Sequence, residues 1–171
     1  PAAPERVVVT QGPLHTCHPN EMRQLLVRGG HVVTMNASRD VLTDAAVLVQ
    51  DGVIAEIGDA TAVIGRHRGA EIIGGPDDVV TPGYVNAHQH HTGDRLVRSA
   101  IPDDIDSDEA IFGWAVPVHG AHTGDDDELS AVLSLVEAVT NGVTTTVEAG
   151  TVAHPDRVVA AMHRVGVRGT I

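Results

Sequence analysis

The strongest constraint on the fold is the alternation of strand and helix patterns in the second half of the chain. A short apolar run, Tyr84 to Ala87, follows Pro82-Gly83 and is typical of a buried strand. From Leu129 apolar residues recur at the i, i+3, i+4 and i+7 spacing of one helix face, and Asn141-Gly142 closes the pattern. The β-branched run Val143 to Val147 then predicts a second buried strand.

A second helix and a third strand continue the alternation to the end of the chain. Pro155 to Val165 predicts a helix with proline in its first turn, and Val167 begins the next strand. Strands that alternate with helices predict a parallel sheet, and such sheets bind ligands at the carboxyl ends of their strands. His88, His90 and Glu148 all fall at that edge.

His88 and His90 are the candidate metal ligands. Side chains two residues apart on a strand point the same way, so both imidazoles can bind one ion. Spacing alone is weak support, because eleven histidines in 171 residues give about 0.7 such pairs by chance. The position of the pair at the end of a predicted strand makes a metal site the favoured interpretation.

The first half of the chain predicts short, paired β-strands. Val32-Val33-Thr34 lies in an apolar run that begins at Leu25. The runs Ala45 to Gln50 and Val53 to Ile57 flank Asp51-Gly52, a strong signal for a two-residue hairpin turn.

Charge and cysteine content limit the possible partners and compartments. The chain has 23 acidic and 11 basic residues, and its formal charge of −12 argues against nucleic acid or anionic membranes as partners. A small molecule is the expected partner. The single cysteine, Cys17, cannot form an internal disulfide, and the sequence shows neither a membrane-spanning apolar run nor a recognisable signal peptide, so we expect a cytoplasmic protein. His15-Thr-Cys-His18 resembles a small metal-binding cluster, but a disordered terminal segment is the favoured interpretation.

Four segments resemble, in order and spacing, the start of the amidohydrolase superfamily. Within that superfamily the chain is most similar to the branch of amino-heterocycle deaminases, triazine hydrolases and related C–N hydrolases. The resemblance covers residues 25 to 171. The four segments are Leu25–Gly30, Val49–Gly58, Thr81–His90 and Asn141–Val147.

The resemblance implies an α/β fold in which a distorted TIM (β/α)8 barrel is joined to a small N-terminal β-sandwich. Residues 1–24 would be an N-terminal extension, 25–81 part of the β-sandwich, and 82–171 the first two to three β/α units of an incomplete barrel. A full barrel needs about 250 residues. We therefore expect an assembled protein, in which the remainder of the barrel comes from the same polypeptide or from a second fragment. The resemblance also implies a homo-oligomer.

The resemblance further implies that His88 and His90 bind one divalent metal ion. The remaining ligands would be histidines after the fifth and sixth strands and an aspartate after the eighth, all outside these residues. The catalytic general acid or base is likewise expected outside them. Zinc is the expected ion for imidazole ligands, with iron, cobalt and manganese as alternatives.

Several other residues are candidates for substrate binding. His91 either contacts substrate or is solvated, and Glu148 either faces the site or caps the loop that follows it. Trp114, with Phe112, lies in a predicted long loop and forms either the wall of an apolar pocket or packing beneath that loop. His119 and His122 lie in the same predicted loop, where solvent exposure is favoured over a place in the pocket.

These residues support a metal-dependent hydrolase as the leading hypothesis. An ion held by imidazoles with one open position makes hydroxide available at neutral pH. Deamination of an amino-heterocycle is the favoured reaction, and hydrolysis of an amide, a thiocarbamate or a halogenated ring is the alternative. A non-catalytic scaffold and a small metal-binding subunit are the hypotheses from other classes.

Overall fold

The computed structural model describes residues 8–9, 24–93 and 100–171. His15, Cys17 and His18 lie outside the described residues. The described elements, in chain order, are β1 Val8–Val9, β2 Gln24–Val33, β3 Val41–Gln50, β4 Val53–Asp59, α1 Ala60–Arg66, β5 Glu71–Val80, β6 Tyr84–Gln89, a π-helix Glu109–Ala115, α2 Val116–Ala121, α3 Gly124–Thr140, β7 Val143–Glu148, α4 Pro155–Val165 and β8 Arg168–Thr170.

These elements form two compact units, which are described separately. Residues 24–82 form the first unit, and residues 83–93 and 100–171, with strand β1, form the second. The mixed α/β class predicted from the sequence is confirmed. No helix in the described part of the chain combines the length and hydrophobicity that a membrane span requires.

The first unit is a four-stranded sheet in the order β4-β3-β2-β5. The predicted hairpin is confirmed: β3 pairs antiparallel with β4, and the two turn residues Asp51 and Gly52 both have positive φ, of 51° and 80°. Strand β3 is buried on both faces, because Ala46 and Leu48 pack with helix α1 while Ala45 and Val47 belong to a separate apolar cluster. Helix α1 was not foreseen in the sequence.

The second unit is a four-stranded sheet in the order β1-β8-β7-β6. Strands β6, β7 and β8 run parallel, as the alternation of strands and helices predicts, and β1 is antiparallel to β8. Helix α4 ends where predicted, at Gly166, whose φ of 87° is the left-handed conformation that glycine adopts readily. The apolar core lies between helices α3 and α4 and the sheet, and its buried members are Ala131, Leu135, Val158, Ala161, Met162 and Val167.

Strand β6 is not buried as predicted. Tyr84 is 57% exposed and Val85 is 65% exposed. Among the described residues β6 pairs only with β7, so it forms the edge of the sheet. Its apolar side chains therefore lack the neighbours that a central strand would give them.

Helix α3 is confirmed, but it buries a different face from the one the apolar pattern indicates. It begins at Gly124 rather than near Leu129, because the Thr123 hydroxyl accepts from the Asp126 backbone N–H and the Asp126 carboxylate accepts from the Thr123 N–H in return. The buried positions include Ser130, Ala131, Ser134, Leu135 and Ala138. The larger residues of the predicted stripe are exposed: Leu129 by 53%, Leu133 by 45%, Val136 by 47% and Val139 by 42%.

This arrangement predicts unequal effects for two identical substitutions on α3. Leu135→Ala should lower the free energy of unfolding of the assembled protein by about 2–5 kcal/mol, because it removes a fully buried side chain from the core. Leu133→Ala, at a side chain that is 45% exposed, should cost less. Urea unfolding measures both values, and a larger loss from Leu133→Ala than from Leu135→Ala would contradict the assigned orientation of α3.

Candidate functional site

The histidine pair lies at the carboxyl end of β6, as predicted. His88 is the penultimate residue of β6, and His90 directly follows the strand. The Nε2 atoms of His88 and His90 are 3.3 Å apart, and the two rings meet edge to face with centroids 5.0 Å apart. The two nitrogens therefore converge on one point in space.

The separation of these nitrogens fits shared coordination of one ion. Zinc binds histidine nitrogen at about 2.0–2.1 Å in tetrahedral geometry, which places two ligand nitrogens about 3.3 Å apart. The donor set is also appropriate, because neutral imidazoles suit zinc and iron. Among the residues that the structure describes, no group of three or more histidine, cysteine, aspartate or glutamate side chains is placed to hold a metal. His88 and His90 would thus supply part of a coordination shell.

A hydrogen-bonded chain orients His90. Its Nδ1 lies 2.7 Å from the hydroxyl of Thr151, in the loop after β7. The Thr151 hydroxyl in turn lies 3.4 Å from Oε1 of Glu148, to which it donates. If Nε2 is kept free for an ion, Nδ1 carries the proton and donates to Thr151. Metal-binding histidines are commonly held by such a partner on the second nitrogen.

Glu148 is buried and serves this chain and the backbone. It is 6% exposed, and its Oε2 accepts from the His91 backbone N–H at 2.8 Å while Oε1 accepts from the Thr151 N–H at 3.4 Å. The carboxylate therefore joins the end of β7 to the residues after β6. The predicted role of Glu148 in substrate binding stays a prediction.

His91 is fully buried, so its interpretation as a solvated residue is wrong. Its Nε2 lies 2.6 Å from the hydroxyl of Thr146 on β7. Glu148 holds the His91 backbone and Thr146 holds its side chain, so both contacts tie His91 to β7. A direct contact between His91 and substrate stays a prediction.

The predicted loop after β6 contains helical structure. Trp114 and Phe112 lie in the π-helix Glu109–Ala115 and are 37% and 69% exposed, respectively. The substrate role predicted for Trp114 stays a prediction. The sequence signal for helix was weak, since residues 109–121 contain two glycines, a proline and few residues with helical spacing.

His119 in α2 is brought to the same edge of the sheet. A Cβ atom added to Gly93 would collide with the His119 ring, so the imidazole lies directly against the backbone that follows His91. Burial lowers the pKa of His119, and the nearby His122 and His90 lower it further against the opposing effects of Asp127 and Glu148. The neutral imidazole is therefore favoured near neutral pH.

His122 is also buried rather than solvated. Its side chain is 8% exposed, and its ring stacks on that of His119 with centroids 5.6 Å apart. His122 Nδ1 lies 3.0 Å from the Asp127 carboxylate in the first turn of α3. The interpretation of His119 and His122 as residues of a solvated loop is therefore wrong.

Comparison with known proteins gives relatives that share both sequence and fold with this chain. No family model matches. A 5-methylthioadenosine/S-adenosylhomocysteine deaminase from Nitratidesulfovibrio vulgaris is 29% identical over 143 residues, which cover 84% of this chain and 31% of that protein. A zinc-bound adenosine deaminase from Xanthomonas campestris is 27% identical with a TM-score of 0.77, covering 88% of this chain and 34% of that one.

A third comparison concerns the fold alone. Atrazine chlorohydrolase from Arthrobacter aurescens TC1, complexed with zinc, has a TM-score of 0.65 at 20% identity, covering 85% of this chain and 34% of that one. The resemblance to the amidohydrolase superfamily is confirmed. This amidohydrolase-like chain spans about a third of the length of the relatives that it matches.

The contact between Thr151 and His90 yields a testable prediction. Thr151→Val keeps the shape of the side chain but removes the hydroxyl at His90 Nδ1, so the zinc affinity of the assembled protein should fall about 10–100-fold. Thr145→Val is the matched control, because the Thr145 hydroxyl on β7 accepts only a long bond of 3.4 Å from Arg168. Chelator competition measures both affinities. Equal zinc affinity in the two variants would show that Thr151 does not support the site.

Proposed function

We propose that the assembled protein is a metal-dependent hydrolase that deaminates an amino-heterocycle. The observation that carries the proposal is the convergence of His88 and His90 Nε2 at 3.3 Å, at the carboxyl end of a strand in a parallel sheet. Ligand sites of β/α barrels lie at that end of the strands. The similarity to deaminases that act on adenosine-type compounds supports the choice of reaction.

The fold proposed for the assembled protein is a distorted TIM (β/α)8 barrel with a small β-sandwich. The parallel strands β6, β7 and β8 with helices α3 and α4 would be its first β/α units, within residues 82–171. The sheet of residues 25–81 would be part of the β-sandwich, and residues 1–24 an extension. The remainder of the barrel, from the same polypeptide or a second fragment, would supply the other metal ligands. We further propose a cytoplasmic homo-oligomer.

The proposed metal is one divalent ion, with zinc expected and iron, cobalt or manganese as alternatives. When bound, such an ion lowers the pKa of a coordinated water to about 7 and so provides a nucleophile at neutral pH. His88 and His90 would hold the ion through Nε2. Thr151 and Glu148 would keep His90 in the tautomer that leaves this nitrogen free.

The remaining candidate residues would shape the pocket at the strand ends. Neutral His119 can donate one hydrogen bond to a heterocycle or accept one from it without adding charge. Trp114, His91 and Glu148 are the substrate-binding residues proposed from the sequence. In deamination, oxygen from water replaces the exocyclic amino group, which leaves as ammonia, and the general acid or base would come from outside residues 1–171.

The direct test is hydrolysis of adenine-containing nucleosides by the assembled protein. Incubation of the zinc-loaded protein with adenosine, 5-methylthioadenosine or S-adenosylhomocysteine should release ammonia and change the ultraviolet spectrum of the base. Removal of the metal by a chelator should abolish the reaction, and restored zinc should recover it.

The same assay discriminates between the alternatives. Amides, thiocarbamates and halogenated triazines are tested in parallel, and hydrolysis of one of these alone would replace deamination with the alternative reaction. A metal-loaded protein that hydrolyses none of these compounds would contradict the proposal and favour a non-catalytic scaffold.

A further inference from the structure

Asp127 is a buried carboxylate outside the proposed metal site. It lies in the first turn of α3 and is 1% exposed. A buried ionised carboxylate is costly unless several donors satisfy it. Its neighbours Asp125 and Asp126 share the favourable position near the helix N-terminus, but Asp127 alone of the three is buried.

Two histidines from different segments satisfy this carboxylate. His122 Nδ1 lies 3.0 Å from Oδ1, and His154 Nδ1 lies 2.8 Å from Oδ2. The His154 backbone N–H also donates to Oδ2 at 3.2 Å. Because an ionised carboxylate only accepts hydrogen bonds, both rings carry a proton on Nδ1. One side chain therefore fixes the orientation of two imidazoles.

His122 and His154 lie in segments that contact His90 or the backbone shortly after it. His122 follows α2 and stacks on His119, whose ring lies against Gly93. His154 closes the loop between β7 and α4, which carries the Thr151 hydroxyl that contacts His90. Asp127 thus connects the segment that carries His119 with the loop that carries Thr151.

We propose that Asp127 is a positioning residue for the metal site. By holding His122 and His154 on one carboxylate, it sets the place of α2 and of the β7–α4 loop relative to α3. The loop then presents Thr151 to His90, and α2 presents His119 to the strand ends. This inference rests on the proposed function, because positioning matters only if His88 and His90 bind the metal.

Asp127→Asn tests the role with little change of shape. The amide keeps one acceptor oxygen but turns its N–H₂ toward the second imidazole, so only one of the two Nδ1 donors can keep its bond. We expect about tenfold weaker zinc binding by the assembled protein, measured by chelator competition, and a comparable fall in kcat/KM. Nitrogen NMR of the histidine rings should show that one imidazole has changed tautomer.

Asp125→Asn is the matched control. Asp125 lies in the same helical turn and loses the same charge, but its side chain is 88% exposed and, among the described residues, pairs only with the surface residue Arg157, at 3.4 Å. Zinc affinity and kcat/KM should stay at the wild-type values. Equal zinc affinity in the Asp127→Asn and Asp125→Asn proteins would overturn the inference.

A second pair of variants covers the case in which Asp127→Asn does not fold. The His154 side chain is 39% exposed, so its substitution is tolerable. His154→Asn places an amide N–H where Nδ1 stands and should keep zinc affinity, whereas His154→Ala should lose it about tenfold. Equal affinities in these two variants would overturn the inference. A wild-type assembled protein that binds no zinc would instead defeat the proposed function, so the two failures are distinguishable.

Discussion

The parallel pairing of β6 with β7 is the interaction on which the rest of the site depends. Register pairs Tyr84 with Val143 at one end and Gln89 with Glu148 at the other, so the two strands finish together. The residues that follow β6 therefore meet those that follow β7. The irregular register between Asn86 and Gln89 lies next to His88 and His90, where a bulge can redirect side chains.

The carboxylates of Glu148 and Asp127 then fix different parts of this edge of the sheet. Glu148 ties the backbone after β6 to the end of β7, and through Thr151 it reaches His90. Asp127 ties helix α3 to His122 and His154. Burying a hydrogen-bonded carboxylate costs desolvation free energy, but it fixes the orientation of its partners. Such fixed orientation is expected at a site that must hold an ion in place.

The sequence predicted the β3–β4 hairpin and the order of β6, α3, β7, α4 and β8, because each of these elements carries its own local signal. Asp51-Gly52 allowed only a tight turn, and Pro155 and Gly166 bounded α4 correctly. What failed depended on long-range contacts. The stripe at Leu129 and Leu133 indicated helix α3 but not its buried face, since the small residues Ser130, Ala131 and Ser134 permit closer packing against the core. The burial of His122 likewise depends on Asp127, and no local pattern shows that pairing.

The central claim is that His88 and His90 together hold one metal ion, and elemental analysis of the purified assembled protein tests it most directly. The wild-type protein should contain one divalent ion per chain, and the His88→Ala/His90→Ala variant should contain none. A matched variant, His31→Ala/His163→Ala, removes two exposed histidines and should keep the ion. Unchanged metal content in the His88→Ala/His90→Ala protein would contradict the account.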